Sequence, residues 1–119
     1  MNNNFSIIIP CFNESKNLKF LINNIIDNVS QIYNYEIIII DDGSNDDTEN
    51  VLNNLKNLKS IIYLKNEKNL GQSRSILKGI KSSNYKTIVT LDGDGQNPPS
   101  DINKLVSIYF TNDEVKLVA

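Results

Sequence analysis

Residues 91–99 read LDGDGQNPP, which sets two aspartates, Asp92 and Asp94, one residue apart after a run of β-formers, each with a glycine behind it. Two carboxylates about 4 Å apart repel by on the order of 4 kcal/mol at an effective dielectric of about 20. A turn does not explain paired charges at a strand end, whereas a cation between them does. The chain has no histidine and one cysteine, Cys11. Ser-His-Asp and Cys-His catalysis and His-ligated metals are therefore excluded within it, as is an intrachain disulfide. A metal here must take oxygen ligands, which points to Mg²⁺, Mn²⁺ or Ca²⁺. Cys11 reads as a small packing residue rather than a nucleophile.

The elements that must position these residues follow from the apolar pattern. Residues 5–9 form a β-branched strand that Pro10 is expected to end. Asn13 is expected to cap a helix with Glu14 in its first turn, and Leu18, Leu21, Ile22, Ile25, Ile26 and Val29 keep helical spacing. Residues 35–40 are a second strand, apolar apart from Glu36, and Asp41, Asp42 and Gly43 form the turn after it. Ser44 and Asp47 resemble a capping box before a helix carrying Val51, Leu52 and Leu55. A third strand spans 60–64, and residues 69–71 lead into a helix through Ile76, Leu77 and Ile80. A fourth strand spans 86–91, Ser100 caps a helix through Ile102, Leu105, Val106 and Tyr109, and 114–118 begin a fifth strand. Strands alternating with helices, each strand a continuous apolar run, predict an α/β domain with a mostly parallel sheet.

In such a sheet the polar clusters share one edge. Residues 10–14 (PCFNE), 41–44 (DDGS) and 92–94 (DGD) all follow strands, so all lie at carboxyl ends, where open α/β sheets bind ligands. Neither G-x-G-x-x-G nor G-x-x-x-x-G-K-[ST] occurs, which removes the dinucleotide fingerprint and the P-loop. An anionic ligand on this acidic edge then calls for Mg²⁺ or Mn²⁺ on Asp94, with Asp92 nearby, neutralising a diphosphate. Gly93 and Gly95 let a ligand approach the backbone.

At 119 residues the chain is one domain's worth, 39% hydrophobic and 22% charged, with net charge −2. It reads as globular, and with no basic stripe nucleic acid is not an expected partner. No apolar run reaches the ~18 residues of a membrane span, and the polar start is unlike a signal peptide.

The stretches IIIPCFNE, IIIIDDGSNDDT, NLGQSRSILKGI and LDGDGQNPPSDI occur in the order seen in family 2 glycosyltransferases of the GT-A fold. The last stretch looks most like the branch that moves a sugar from a nucleotide-sugar onto a dolichyl or undecaprenyl phosphate. The resemblance covers nearly the whole chain and implies a GT-A, Rossmann-like sheet with helices on both faces, truncated near the fifth strand. It implies a metal-dependent inverting transferase, with a DXD motif, acting on a nucleotide-diphosphate sugar and a polyprenyl-phosphate or glycan acceptor. By position, Pro10, Phe12 and Glu14 would line the nucleoside pocket, with Phe12 where the family often has Tyr. Ile40 and Asp42 would meet the base, and Asp41 would orient the loop. Asp92, Gly93 and Asp94 would meet ribose and diphosphate, Asp92 and Asp94 serving catalysis, and Asp94 and Gln96 would ligate Mg²⁺ or Mn²⁺. Ser73 and Arg74 stand where the family more often reads Ala-Arg, in a region that closes the nucleotide pocket.

Family members continue well past this length with the segment that builds the acceptor side. Residues 1–119 are therefore expected to be the nucleotide-sugar-binding domain, incomplete at its C-terminus. The alternative to an enzyme is a nucleotide-sugar-binding module or truncated remnant without turnover. The expected place is the cytoplasm, at the cytoplasmic face of a membrane if the acceptor or the missing part brings it there.

Overall fold

A computed structural model describes residues 3–55, 61–92 and 102–103. The order is β1 (Asn4–Cys11), α1 (Ser15–Asn28), β2 (Asn34–Asp42), α2 (Thr48–Leu55), β3 (Ile61–Asn66), α3 (Gln72–Ser82) and β4 (Ile88–Thr90). The strands form one sheet in the order β3-β2-β1-β4, and every pairing is parallel. The expected α/β architecture is thus present. The fifth strand at 114–118, and all of the helix expected after Ser100 except Ile102 and Asn103, lie outside the described residues.

The strands are isoleucine-rich because both faces are covered. On one face Ile7, Ile9, Ile37 and Ile39 pack under Leu18, Leu21, Ile22 and Ile25 of α1 and Leu52 and Leu55 of α2. Ile102 is buried in the same core. On the other face Ile8, Ile38, Ile40 and Ile88 meet Ile76 of α3. Burying an isoleucine side chain stabilises the fold by about 1.5–3 kcal/mol, so this two-sided core dominates the energetics. Helix α3 lies close to the sheet because its buried residues are small, Ser75 and Gly79. A Cβ on Gly79 would stand 2.8 Å from both Ile40 Cδ1 and Ile8 Cγ2. Leu77 and Ile80 of the same helix stay exposed.

Strand β1 does not end at Pro10 as expected. It runs to Cys11, with Pro10 opposite Ile40 and Cys11 opposite Asp41. The Ser6 amide donates to Thr87 O, and Ile8 O accepts from the Leu91 amide, so even-numbered residues of β1 bond toward β4. The nitrogen of Pro10 therefore faces the side where the β4 ladder stops, its last pair being Ile8 with Thr90. No ladder donor is lost, and the strand continues along β2.

At the amino ends of the strands Glu36 is buried and its carboxylate is fully engaged. It accepts from Ser6 Oγ at 2.6 Å, from the Asn84 amide at 2.7 Å and from Asn84 Nδ2 at 2.8 Å. The segment between α3 and β4 is thereby tied to the floor of the sheet.

Candidate functional site at the carboxyl edge

The order of the strands reverses beside β1: β2 and β3 extend to one side, and β4 returns to the other. The crevice outside such a reversal is the usual ligand position of open α/β sheets. A cleft of about 430 Å³ opens there, lined by Pro10, Cys11, Phe12, Glu14, Asp42, Asn69, Gly71, Gln72 and Asp92. Five of the residues singled out from sequence (Pro10, Phe12, Glu14, Asp42 and Asp92) meet in this wall. Phe12 is 43% exposed, so it is a cleft surface rather than core. The side chain of Ile40 is fully buried in the cluster under α3 and is not part of the wall. Ser73 and Arg74 lie in the first turn of α3, exposed and outside the lining. Gly93, Asp94 and Gln96 lie outside the described residues.

The two aspartates that end β2 divide their tasks. Asp41 is buried, accepting the Ser44 amide at 3.0 Å through Oδ1 and the Tyr63 hydroxyl at 3.3 Å through Oδ2. It holds its own turn, as expected. Asp42 reaches across to the loop before α3. Its Oδ1 accepts from Asn66 Nδ2 at 2.9 Å and the Leu70 amide at 2.7 Å, and its Oδ2 accepts the Gly71 amide at 3.0 Å. Burial pushes the Asp42 carboxyl up, but hydrogen bonds from Leu70, Asn66, Gly71 and Ser75 outweigh it and hold it below the ordinary value. The Cys11 thiol is pushed far up by burial and by the carboxylates of Asp41, Glu14, Asp46 and Asp42, so it stays protonated and packs.

The loops diverge from the expected capping. Asn13 does not cap α1. It sits in the left-handed region at φ 54°, donates its amide to Ser44 Oγ at 2.9 Å and accepts the Asn45 amide at 2.9 Å. Ser44 and Asp47 form no capping box, because α2 begins at Thr48 and the Thr48 amide is taken by Asp46 Oδ1 at 2.9 Å. Asn and Ser can cap or cross-link equally well, and which they do depends on the neighbouring loop, which a one-dimensional pattern does not show.

The third wall was only partly visible in the sequence. Asn69, Gly71 and Gln72 come from the stretch NLGQ, and Gln72 Nε2 donates to Asp92 Oδ1 at 3.3 Å. Gly71 occupies the N-cap position of α3 at φ 97°, and the helix start presents the positive end of its dipole at this edge. Among the described residues no lysine or arginine side chain lines the cleft, while three carboxylates do. Among the described residues no group of three or more His, Cys, Asp or Glu is gathered to hold a metal ion. The exposed carboxylate of Asp92 is of the type that binds Mg²⁺ or Mn²⁺, and further ligands must come from elsewhere.

Comparison with known proteins agrees with this geometry. The profile of Glycosyl transferase family 2 matches residues 6–117. The chain is 34% identical over 108 residues to an undecaprenyl-phosphate 4-deoxy-4-formamido-L-arabinose transferase of Proteus mirabilis, covering 88% of this chain and 33% of that protein. It is 33% identical over 112 residues to a dolichol-phosphate mannosyltransferase of Pyrococcus furiosus, covering 94% of this chain and 32% of that one. The chain thus spans about a third of the length of these curated relatives. The fold is shared with the mannosyltransferase PcManGT of Pyrobaculum calidifontis, solved with GDP-Man and Mn²⁺, at a TM-score of 0.81 and 16% identity over 92% of this chain and 33% of that one. It is also shared with S. aureus TarS 1-349 in complex with UDP-GlcNAc, at a TM-score of 0.75 and 20% identity over 93% and 31%. The sheet is the Rossmann-like sheet of the GT-A fold. With both the profile and the relatives spanning most of its residues, the chain belongs to glycosyltransferase family 2.

Proposed function

We propose that this chain forms the donor side of a transferase that moves a sugar from a nucleotide-diphosphate sugar to a polyprenyl phosphate, by inverting, in-line attack. The observation that carries this reading is the convergence of four loops, after β1, β2, β3 and β4, on one cleft at the strand-order reversal. The names of the relatives, undecaprenyl-phosphate and dolichol-phosphate transferases, support the acceptor class. Pro10, Phe12 and Asp42 face the nucleoside, Ile40 contributes backbone only, and Glu14 closes that side. Asp92, Gly93 and Asp94 meet ribose and diphosphate. Asp94 and Gln96, with Asp92 beside them, hold Mg²⁺ or Mn²⁺, which when bound offsets the charge of the departing diphosphate. The acidic lining supports the metal, because a diphosphate entering beside Glu14, Asp42 and Asp92 meets no basic side chain among the described residues of the wall.

The same lining favours donor over acceptor at this cleft, since a lipid phosphate also needs cations to hold it. Among the described residues no helix is long and apolar enough to cross a membrane. A lipid-phosphate acceptor would bring the protein to a membrane face. Titration calorimetry with GDP and UDP, in Mn²⁺ and in chelator, tests the reading. Binding of one nucleotide with Mn²⁺ and at least tenfold weaker binding in chelator is expected. Equal affinity in both conditions counts against the metal, and no binding of either nucleotide counts against the donor site.

A further inference from the structure

We propose that Asp46, which does not line the cleft, is the positioning residue for the wall formed by Phe12 and Glu14, acting by capping α1 and α2 with one carboxylate. The inference rests on the reading of the cleft as a nucleotide site and names the residue that sets its geometry. Strands β1 and β2 end side by side, Cys11 opposite Asp41, so the loops that follow them leave as neighbours. Helix α1 has Glu14 at its N-cap position with no side-chain cap of its own. Its first donors are instead satisfied by the loop after β2. Ser15 donates to Asp46 Oδ2 through its hydroxyl at 2.9 Å and its amide at 3.4 Å, and the Glu14 amide donates to Thr48 Oγ1 at 3.1 Å.

The second oxygen of the same carboxylate serves α2. Asp46 Oδ1 accepts the Thr48 amide and the Thr48 hydroxyl. The Thr48 oxygen that donates its proton to Asp46 is the one that accepts from Glu14, so the bonds run in series from the carboxylate to the Glu14 amide. Negative charge is favoured at the N-termini of both helices, and here one charge serves two. Glu14 lies in the cleft wall and Phe12 two residues before it, with Asn13 pinned to Ser44 and Asn45 between them. Helix α1 offers no side-chain cap of its own at this end. Moving the Asp46 carboxylate therefore moves the start of α1 and the wall with it.

The experiment pairs amide hydrogen exchange of the ligand-free chain with calorimetry of GDP and UDP in Mn²⁺. Asp46→Asn keeps the shape but turns one acceptor oxygen into a donor, so one of the two caps is lost. The variant is expected to speed exchange by about tenfold at Glu14 or at Ser15, whichever side the new amide nitrogen faces, and to weaken nucleotide binding by a similar factor, the size of a lost cap. Exchange in the interior of β1 and β2 should stay at the wild-type rate. Thr48→Ala should reproduce the effect at Glu14 but not at Ser15, and Thr48→Ser should restore it. Unchanged exchange at Glu14 and Ser15 in Asp46→Asn, or acceleration spread evenly over the chain, overturns the positioning role. Wild-type affinity in a variant whose exchange has risen overturns it as well. If the wild-type chain binds neither nucleotide, the donor-site reading fails, and the exchange arm alone decides whether Asp46 holds this wall.

Discussion

Asp42 lines the cleft and at the same time accepts from Asn66, Leu70 and Gly71. Most of its acceptor capacity is taken by the protein. Its first effect is therefore to hold the loop before α3 against the end of β2. Asp42→Asn replaces an acceptor oxygen by an amide that faces backbone N–H groups, and is expected to cost about 1–3 kcal/mol in urea unfolding at neutral pH. The pH dependence has a definite sign. The folded carboxyl is held below its ordinary value, so the unfolded chain takes up the proton first as pH falls. The stabilisation is complete above the unfolded value and is lost as pH drops through the folded one. The gap between wild type and Asp42→Asn should be widest at neutral pH and should close below about pH 4. A gap that stays constant from pH 7 to pH 3 would show that the carboxylate charge is not what holds the loop.

At the scale of elements, the loops around the cleft are held by contact as well as by hydrogen bonds. Gly43 follows Asp42 at φ 74°, and a Cβ there would stand 2.5 Å from Lys68 C and 2.6 Å from Asn69 N. The obstacle is backbone, which has no rotamer to give. Gly43→Ala is expected to lower stability by about 2–4 kcal/mol, combining left-handed strain with overpacking, and to loosen Asn69 at the cleft wall. A denaturant midpoint within error of wild type would contradict the close approach. The strands were legible in the sequence because four consecutive isoleucines, 37–40, have few other homes, and α1 because its buried residues recur at helical spacing. The meeting of Pro10, Phe12, Glu14, Asp42 and Asp92 at one edge was legible from topology alone. The caps were not, since Asn13, Ser44 and Asp46 bond between loops that are about 30 residues apart in sequence. The exposure of Leu77 and Ile80 was hidden for a related reason. The face that α3 turns inward is chosen by how closely Gly79 lets it approach Ile8 and Ile40, not by which face carries more apolar atoms.

Across the whole molecule, the sheet poses an alignment problem that hydrophobic burial does not solve. Ile7, Ile8 and Ile9 pair with Ile37, Ile38 and Ile39. Sliding β2 by two residues keeps each side chain on its face and still sets Ile7 and Ile8 beside Ile39 and Ile40, with only Ile9 meeting Asp41, and burial is non-directional, so apolar packing alone separates the two alignments weakly. Glu36 breaks the tie. In the observed alignment it stands opposite Ser6 and its carboxylate is met by Ser6 and Asn84. A two-residue slide would carry it about 7 Å from those donors and strand a buried charge, a cost of several kcal/mol. Replacing the pair by Glu36→Leu with Ser6→Ala should leave the chain folded and of similar melting temperature, yet split the isoleucine methyl resonances into more than one set. A single sharp set would mean that packing alone fixes the alignment. A carboxylate at one end of the strands thus acts as the index mark of the sheet, and the loops that meet at the far end arrive in step because of it.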